Sequence, residues 1–316
     1  MARLSILIPC ISNNGLLEKT LLSVLSALSA RQDGTEVIVI DRTDYADPYS
    51  LDGDEIQLIR GASRASLCDL IQLGLSRATG EIVHFMGCGL EVEADWYRAA
   101  LSWFDDDRIG CVAPICWEAD SQSSSSYGIL GVKLTSGLKR QQVRLASSEA
   151  KSDSHGQGIL GPVWNAAFYR TELLRDYEAF DAEYGDELAD AEIAFALHEE
   201  GWSCVVEPRS QLQFASRCEV PRVSAIQRGR YEQRFLIDHS ESVTLQSRHA
   251  ILGDLFGGLL KPSRWGECLG RIQESRRVRR GEFEPPMTDR QTVAFPTGQH
   301  QTASATSDVD QKRRAA

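Results

Sequence analysis

Residues 80–96 read GEIVHFMGCGLEVEADW, and the rest of the chain is placed by them. Residues 82–86 are a short, largely apolar run, which predicts a buried strand. That run stops at Gly87-Cys88-Gly89, and a helix is expected to begin near Glu93. In an alternating strand and helix fold, a strand that ends at a glycine-rich break carries the next residues to the rim where ligands bind.

Toward the N-terminus, residues 4–8 (LSILI) read as a first strand, ended by Pro9 because proline cannot continue the ladder. Residues 10–14 make a polar turn in which Asn13 or Asn14 can cap the next helix. Apolar residues at 17, 21, 24, 25 and 28 mark one face of that helix over 16–30. Residues 36–40 (EVIVI) are a second buried strand that delivers Asp41, Thr43 and Asp44 to a loop, and 56–59 a third. Ser66 and Asp69 have the spacing of a capping box, so a helix runs from there to about Ala78, and Gly80 stops it. The succession strand, helix, strand, strand, helix, strand predicts a mainly parallel sheet with right-handed crossovers, flanked by helices. Residues 10–13, 41–44 and 87–91 then share one rim.

Toward the C-terminus, a helix is expected over 94–104 and a strand over 109–115. Serine-rich 121–126 and residues 147–158 read as loops, and 127–145 alternates weakly and carries Lys133, Lys139, Arg140 and Arg144. An apolar, aromatic run spans 161–169, a helix 187–200 ended by Gly201, and a strand 202–206. Two more helices are expected over 222–239 and 249–260, with Pro262 punctuating them. From about Gly281 large apolar residues are sparse, which predicts a disordered tail. The expected organisation is one domain over 1–240, a helical extension over 241–280 and the tail over 281–316.

Composition narrows the function classes. The 316 residues contain 42% hydrophobic and 25% charged residues, the balance of a soluble globular protein. A net charge of -11 argues against non-specific nucleic-acid binding, since nothing offsets repulsion from the phosphate backbone. No apolar stretch approaches the roughly 18 to 20 residues of a membrane span. The opening run is too short for a signal-peptide core, so a cytoplasmic location is expected. The eight cysteines contain no CxxC pair and sit in apolar or strand-like surroundings, so they are expected reduced and mostly buried rather than zinc-binding. The first strand leads into Pro-Cys-Ile-Ser-Asn and not a GxGxxG turn, which excludes a dinucleotide-dependent oxidoreductase.

The segments LSILIPCISNN, EVIVIDRTD, LIQLGLSRATGEIVHFM, FDAEYGDELADAEIAFALHEEGW and QRGRYEQRF, in that order over about residues 3–240, resemble family 2 of the GT-A glycosyltransferases. The resemblance implies a GT-A (nucleotide-diphospho-sugar transferase) fold, a nucleotide-sugar donor, and a glycan or other hydroxyl acceptor, as in polysaccharide biosynthesis. It implies that Pro9 and Cys10 line the nucleotide pocket and that Asp41 contacts the nucleobase. It also implies that Asp190 is the general base, which must reach the acceptor hydroxyl directly and be ionised. The family's metal motif, Asp-x-Asp, falls on Gly87-Cys88-Gly89, where neither glycine supplies an oxygen side chain. No metal or other cofactor is therefore expected, and the cations facing the diphosphate are sought among Arg228, Arg230, Lys139 and Arg140. The family's usual Asn in the crossover helix is Gln72, and its His near residues 212–214 is absent.

Each of these residues also has a plainer reading. Asp41 can cap its own turn, and Asp190 can be one carboxylate of an N-terminal helical turn. His84 lies inside the strand as a packed residue, and Glu91 alone makes a poor cation site. Trp164 and Asn165 are candidate acceptor contacts, although a Trp in an apolar run also suits the core. Two functions fit these residues: sugar transfer without a metal, or a catalytically silent relative that binds a nucleotide, a glycan or a partner enzyme.

Overall fold

The computed structural model describes residues 3–281 except 13–14, 29–33, 54, 120–125, 147–157, 178–179, 181–183, 215–222 and 240–244. The expected loops at 121–126 and 147–158, the capping Asn13 and Asn14, and the tail beyond Gly281 fall largely or wholly outside the described residues.

Four parallel strands form the first half of the sheet, ordered β3 (Gln57–Arg60), β2 (Thr35–Asp41), β1 (Leu4–Cys10) and β4 (Ile82–Met86). The second half mixes directions. There β9 (Ala166–Arg170) runs antiparallel to β4 and to β6 (Ile109–Ala119). The strand β10 (Ser203–Phe214) runs parallel to β6, and β5 (Leu90–Val92) closes the edge antiparallel to β10. A hairpin of β7 (Ser126–Leu134) and β8 (Arg140–Ala146) branches from β6.

Alternation along the central strands fills both faces of the sheet. Ile6, Ile8, Val37 and Val39 pack against Leu17, Leu21 and Val24 of α1 (Leu16–Leu28), and α3 (Arg98–Ser102) adds Leu101 and Ala100 to that side. Leu7, Ile38, Ile40 and Phe85 point the other way. They meet Leu70 and Ile71 of α2 (Leu67–Leu75), Leu173 of α4 (Thr171–Asp176), and Ile193 and Leu197 of α5 (Gly185–Glu199). The capping box foreseen at Ser66 and Asp69 is formed in both directions. At Gly74 the helix lies so close to the sheet that a Cβ would stand 2.8 Å from Ile40 Cδ1.

Two expectations are corrected. No helix begins at Glu93: residues 90–92 are β5, paired with Leu212, Gln213 and Phe214 of β10, and the helix proper starts only at Arg98. The strand of 202–206 extends to Phe214, because its second half has both β6 and β5 as partners. At the C-terminus α6 (Ala225–Asp238) and α7 (Leu245–Leu259) are joined by α8 (Trp265–Arg279), which the sequence did not separate from the extension. Helices α6 and α8 touch backbone to backbone. A Cβ at Gly229 would stand 2.0 Å from Glu267 O, and one at Gly270 2.0 Å from Ile226 O.

Candidate active site

Strands β1, β2 and β4 end together, bringing Cys10, Asp41 and Gly87 to one rim. Pro9 lies opposite Ile40, and Cys10 opposite Asp41. The Asp41 side chain is fully buried and shapes the loop after β2. Its Oδ1 accepts from the Thr43 N–H at 2.9 Å and the Thr43 hydroxyl at 2.6 Å. Its Oδ2 accepts from the Tyr45 N–H at 2.8 Å and from Arg60, whose guanidinium also reaches Tyr45 O. Burial pushes the Asp41 carboxyl up, but the Thr43 and Tyr45 hydrogen bonds and the Arg60 charge outweigh it and hold it below the usual range. The turn-capping reading of Asp41 is thus realised by its side chain.

Thiols face each other across this rim. Cys88 donates to Pro9 O at 3.5 Å, Cys10 donates to Ser12 O at 3.5 Å, and Thr43 Oγ1 lies 4.0 Å from Cys10 Sγ. The side-chain contacts with Cys88 and then Thr43 draw the Cys10 thiol down from its ordinary value, against the opposing effects of burial and Asp41. Arg42, which the sequence reading passed over, is a second cation at this rim beside Arg60. The Arg42 guanidinium donates to Ile11 O at 3.1 Å and to Ala65 O, and among the described residues no carboxylate pairs with it. Its place directly after the strand-ending Asp41 is the signal that was available.

The Gly87–Gly89 turn is fixed by its backbone. Gly87 N–H donates to Asn165 O at 2.9 Å, Gly89 N–H donates to Thr20 Oγ1 at 2.8 Å, and Leu90 N–H closes the turn on Gly87 O at 3.2 Å. Gly89 has φ +92°, a conformation in which an aspartate would be strained. Glu91 sits on β5 opposite Gln213, and no group of three His, Cys, Asp or Glu suited to a metal occurs among the described residues. The donor set at this turn does not fit a hard divalent cation, which asks for several oxygen ligands. His84 is a packing residue. Its Nδ1 lies 3.1 Å from Ala167 O, its Nε2 accepts from the Trp96 indole at 3.3 Å, and its ring stacks on Phe168. Burial, only partly opposed by the Ala167 hydrogen bond, holds it neutral with a pKa pushed down to about 3.

Beside the turn lies the pair that closes the site. Asp190, on α5 and fully buried, receives Arg140 of β8 in a two-pronged contact: Nε to Oδ1 at 2.6 Å and Nη2 to Oδ2 at 2.6 Å. Its Oδ2 also accepts from the Trp164 N–H at 3.3 Å. The Trp164 ring packs in the second core cluster, so its backbone and not its aromatic face meets the site. Asn165 comes directly after and binds Gly87 through its carbonyl, so Gly87, Asn165, Trp164, Asp190 and Arg140 form one connected wall. The other cations considered from the sequence are held elsewhere by carboxylates. Lys139 pairs with Asp254 at 2.7 Å, Arg228 with Glu187 at 3.0 Å and Arg230 with Glu274 at 3.1 Å. Gln72 donates to Phe180 O at 3.4 Å, within the α2 side of the core.

Comparison with known proteins agrees with this fold. The family model described as Glycosyl transferase family 2 matches residues 5–177, more than half of the chain, and the chain belongs to that family of glycosyltransferases. Solved structures of glycosyltransferases share the fold. A structure of GalNAc-T7 with UDP, GalNAc and Mn2+ aligns with TM-score 0.56 at 16% identity, over 90% of this chain and 59% of that one. The mannosyltransferase PcManGT from Pyrobaculum calidifontis, in complex with GDP-Man and Mn2+, aligns with TM-score 0.50 at 16% identity, over 89% and 88% of the two chains. S. aureus TarS aligns with TM-score 0.51 at 14% identity, over 79% of this chain and 41% of that one. The chain therefore spans less than two thirds of GalNAc-T7 and of TarS. No curated protein matches it significantly by sequence. Two of these structures hold Mn2+, whereas the turn at Gly87–Gly89 lacks the carboxylates such an ion asks for.

Proposed function

We propose that the protein transfers a sugar from a nucleotide-sugar donor to a hydroxyl acceptor, such as a glycan, without a divalent cation. The observation that carries this reading is the connected wall from Gly87 through Asn165 and Trp164 to the Arg140–Asp190 pair, set beside the Cys10 and Asp41 rim. The nucleobase lies against the loop held by Asp41, with Pro9 and Cys10 lining its pocket. Arg42 and Arg140 face the diphosphate in place of a metal, because a planar guanidinium forks onto phosphate oxygens.

In the transfer step the acceptor oxygen bonds to the anomeric carbon. The bond from that carbon to the phosphate oxygen breaks, its electron pair leaving on the nucleoside diphosphate. Asp190 takes the acceptor proton. As it stands, Asp190 is covered by Arg140, so the donor diphosphate must first draw Arg140 away. One arginine then serves twice, stabilising the departing charge and uncovering the base.

The burial of Asp190 also favours the silent relative, in which the pair is a permanent structural element. One experiment separates the two: nucleotide-sugar turnover, and nucleoside diphosphate binding, for the natural chain and Asp190→Asn. Transfer requires that Asp190→Asn retain nucleotide binding and lose turnover, since the base acts only in the chemical step. Binding without turnover by the natural chain, across donors of every common nucleotide, would establish the silent relative instead.

A further inference from the structure

The least explained surface of the molecule is the outer face of α7 and α8. Of the ten large apolar side chains exposed among the described residues, six lie here: Leu252, Phe256, Leu260, Trp265, Leu269 and Ile272. Phe256 is 67% exposed, Leu260 84% and Trp265 58%. Their spacing, four and four along α7 to its end and four and three on α8, sets each group on one helical face. The inner side of α8 is occupied. Gly266 and Gly270 abut α6, Arg271 pairs with Glu232, and Glu274 pairs with Arg230 at 3.1 Å. The same outward line of α8 continues from Trp265, Leu269 and Ile272 into the exposed Arg276 and Arg279. Residues 261–280 hold seven Lys or Arg against two Glu, in a chain whose net charge is -11; Arg264, Arg271 and Arg277 pair with carboxylates, and Lys261, Arg276, Arg279 and Arg280 supply the rest of the positive charge.

We propose that this face docks on an anionic lipid bilayer, with α7 and α8 lying in the headgroup plane. Trp, Phe and Leu interleaved with Arg and Lys are the composition of an interfacial helix. The apolar side chains enter the acyl boundary while guanidinium groups reach lipid phosphates. No helix among the described residues is long and apolar enough to cross a membrane, and α7 and α8, at fifteen residues each, lie on it. A second copy of this chain is the poorer occupant. Twofold pairing would set two helices with the same excess of positive charge against each other, like charge against like. A bilayer with anionic headgroups supplies both an apolar layer and the opposite charge. The basic cluster thus takes a role separate from the donor site.

The test is co-sedimentation of the full chain with phosphatidylcholine vesicles, with and without an equal share of phosphatidylglycerol. Light scattering of the chain alone is measured alongside. Binding is expected on the anionic vesicles and weakened on the neutral ones. Arg276→Gln with Arg279→Gln should lower it by roughly tenfold or more, as two charges at a negatively charged surface require. Trp265→Ser with Leu269→Ser should lower it about tenfold or more while lowering the melting temperature by only a few degrees, because about half of each side chain is exposed. Failure to bind anionic vesicles overturns the proposal. So does binding that none of these substitutions reduces. A dimer in solution that Trp265→Ser dissociates, without vesicle binding, would assign the face to a second copy instead.

Discussion

Replacing Arg140 by Met keeps most of its volume and removes its charge, and this is the most informative single change at the site. Asp190 is fully buried, and Arg140 supplies both of its charged hydrogen bonds at 2.6 Å. The remaining donor, the Trp164 N–H at 3.3 Å, is neutral and weak. Removing one partner of a buried ion pair strands the other, so a loss of about 3 to 5 kcal/mol is expected. For a chain of this size that corresponds to a fall of roughly 5 to 8 °C in melting temperature. Adding Asp190→Asn removes the stranded charge and keeps an acceptor for the Trp164 N–H. The double variant should therefore recover to within about 1 to 2 kcal/mol of the natural chain. Urea titration of the natural chain, both single variants and the double variant measures the coupling. Nucleotide affinity gives a second sign: Arg140→Met should weaken it, while Asp190→Asn, which releases Arg140, should preserve or strengthen it. A destabilisation below about 1 kcal/mol for Arg140→Met would refute the reasoning, because an uncompensated buried carboxylate cannot be that inexpensive.

Three further outcomes are expected. Asp41→Ala should weaken nucleoside diphosphate binding and lower stability by about 2 to 4 kcal/mol, since the Thr43 and Tyr45 amides and Arg60 lose their common acceptor; calorimetry and urea unfolding read the two effects, and a loop unchanged in stability would mean that water replaces the carboxylate. Stability should also fall as pH drops below about 6.5, because the unfolded chain protonates His84 while the folded one keeps it neutral to about pH 3. That loss amounts to about 1.4 kcal/mol per pH unit in this window, and His84→Gln should flatten it. Asp41, whose carboxyl is held below its usual range, stabilises the fold above about pH 4, and that contribution disappears only at lower pH, as its folded-state value is crossed.

The four-stranded parallel half of the sheet was legible because its signals are local. The runs at 4–8, 36–40 and 82–86 are largely apolar and lie within β1, β2 and β4, whose ends meet at the rim; β1 does not stop at Pro9 as expected but stays paired with β2 through Pro9 to Cys10. The error at Glu93 came from a distant partner. Leu90 and Val92 alternate with Glu91 over only three residues, and what makes them a strand is β10, more than 100 residues away in sequence. The helix α8 was not separated for a related reason. Its small residues at Gly266 and Gly270 weaken the helical pattern, and they are there because α6 passes against them. At the site, Arg140 and Asp190 were both named, but for different tasks. Nothing in a sequence ties two residues 50 positions apart into one ion pair when the intervening strand alternates as weakly as β8. The two readings of Asp41 were equally open in the sequence, and the structure adds the four donors that fill its carboxylate.

The most direct measurement is isothermal titration of the full chain with UDP and with GDP, each in the presence of a chelator and then of Mn2+. A donor site built on Arg42 and Arg140 beside Gly87-Cys88-Gly89 should bind one of these nucleotides with the same affinity in both conditions. Affinity that appears only with Mn2+, or rises tenfold or more (about 1.4 kcal/mol) when it is added, would contradict this and require a cation site built from other ligands.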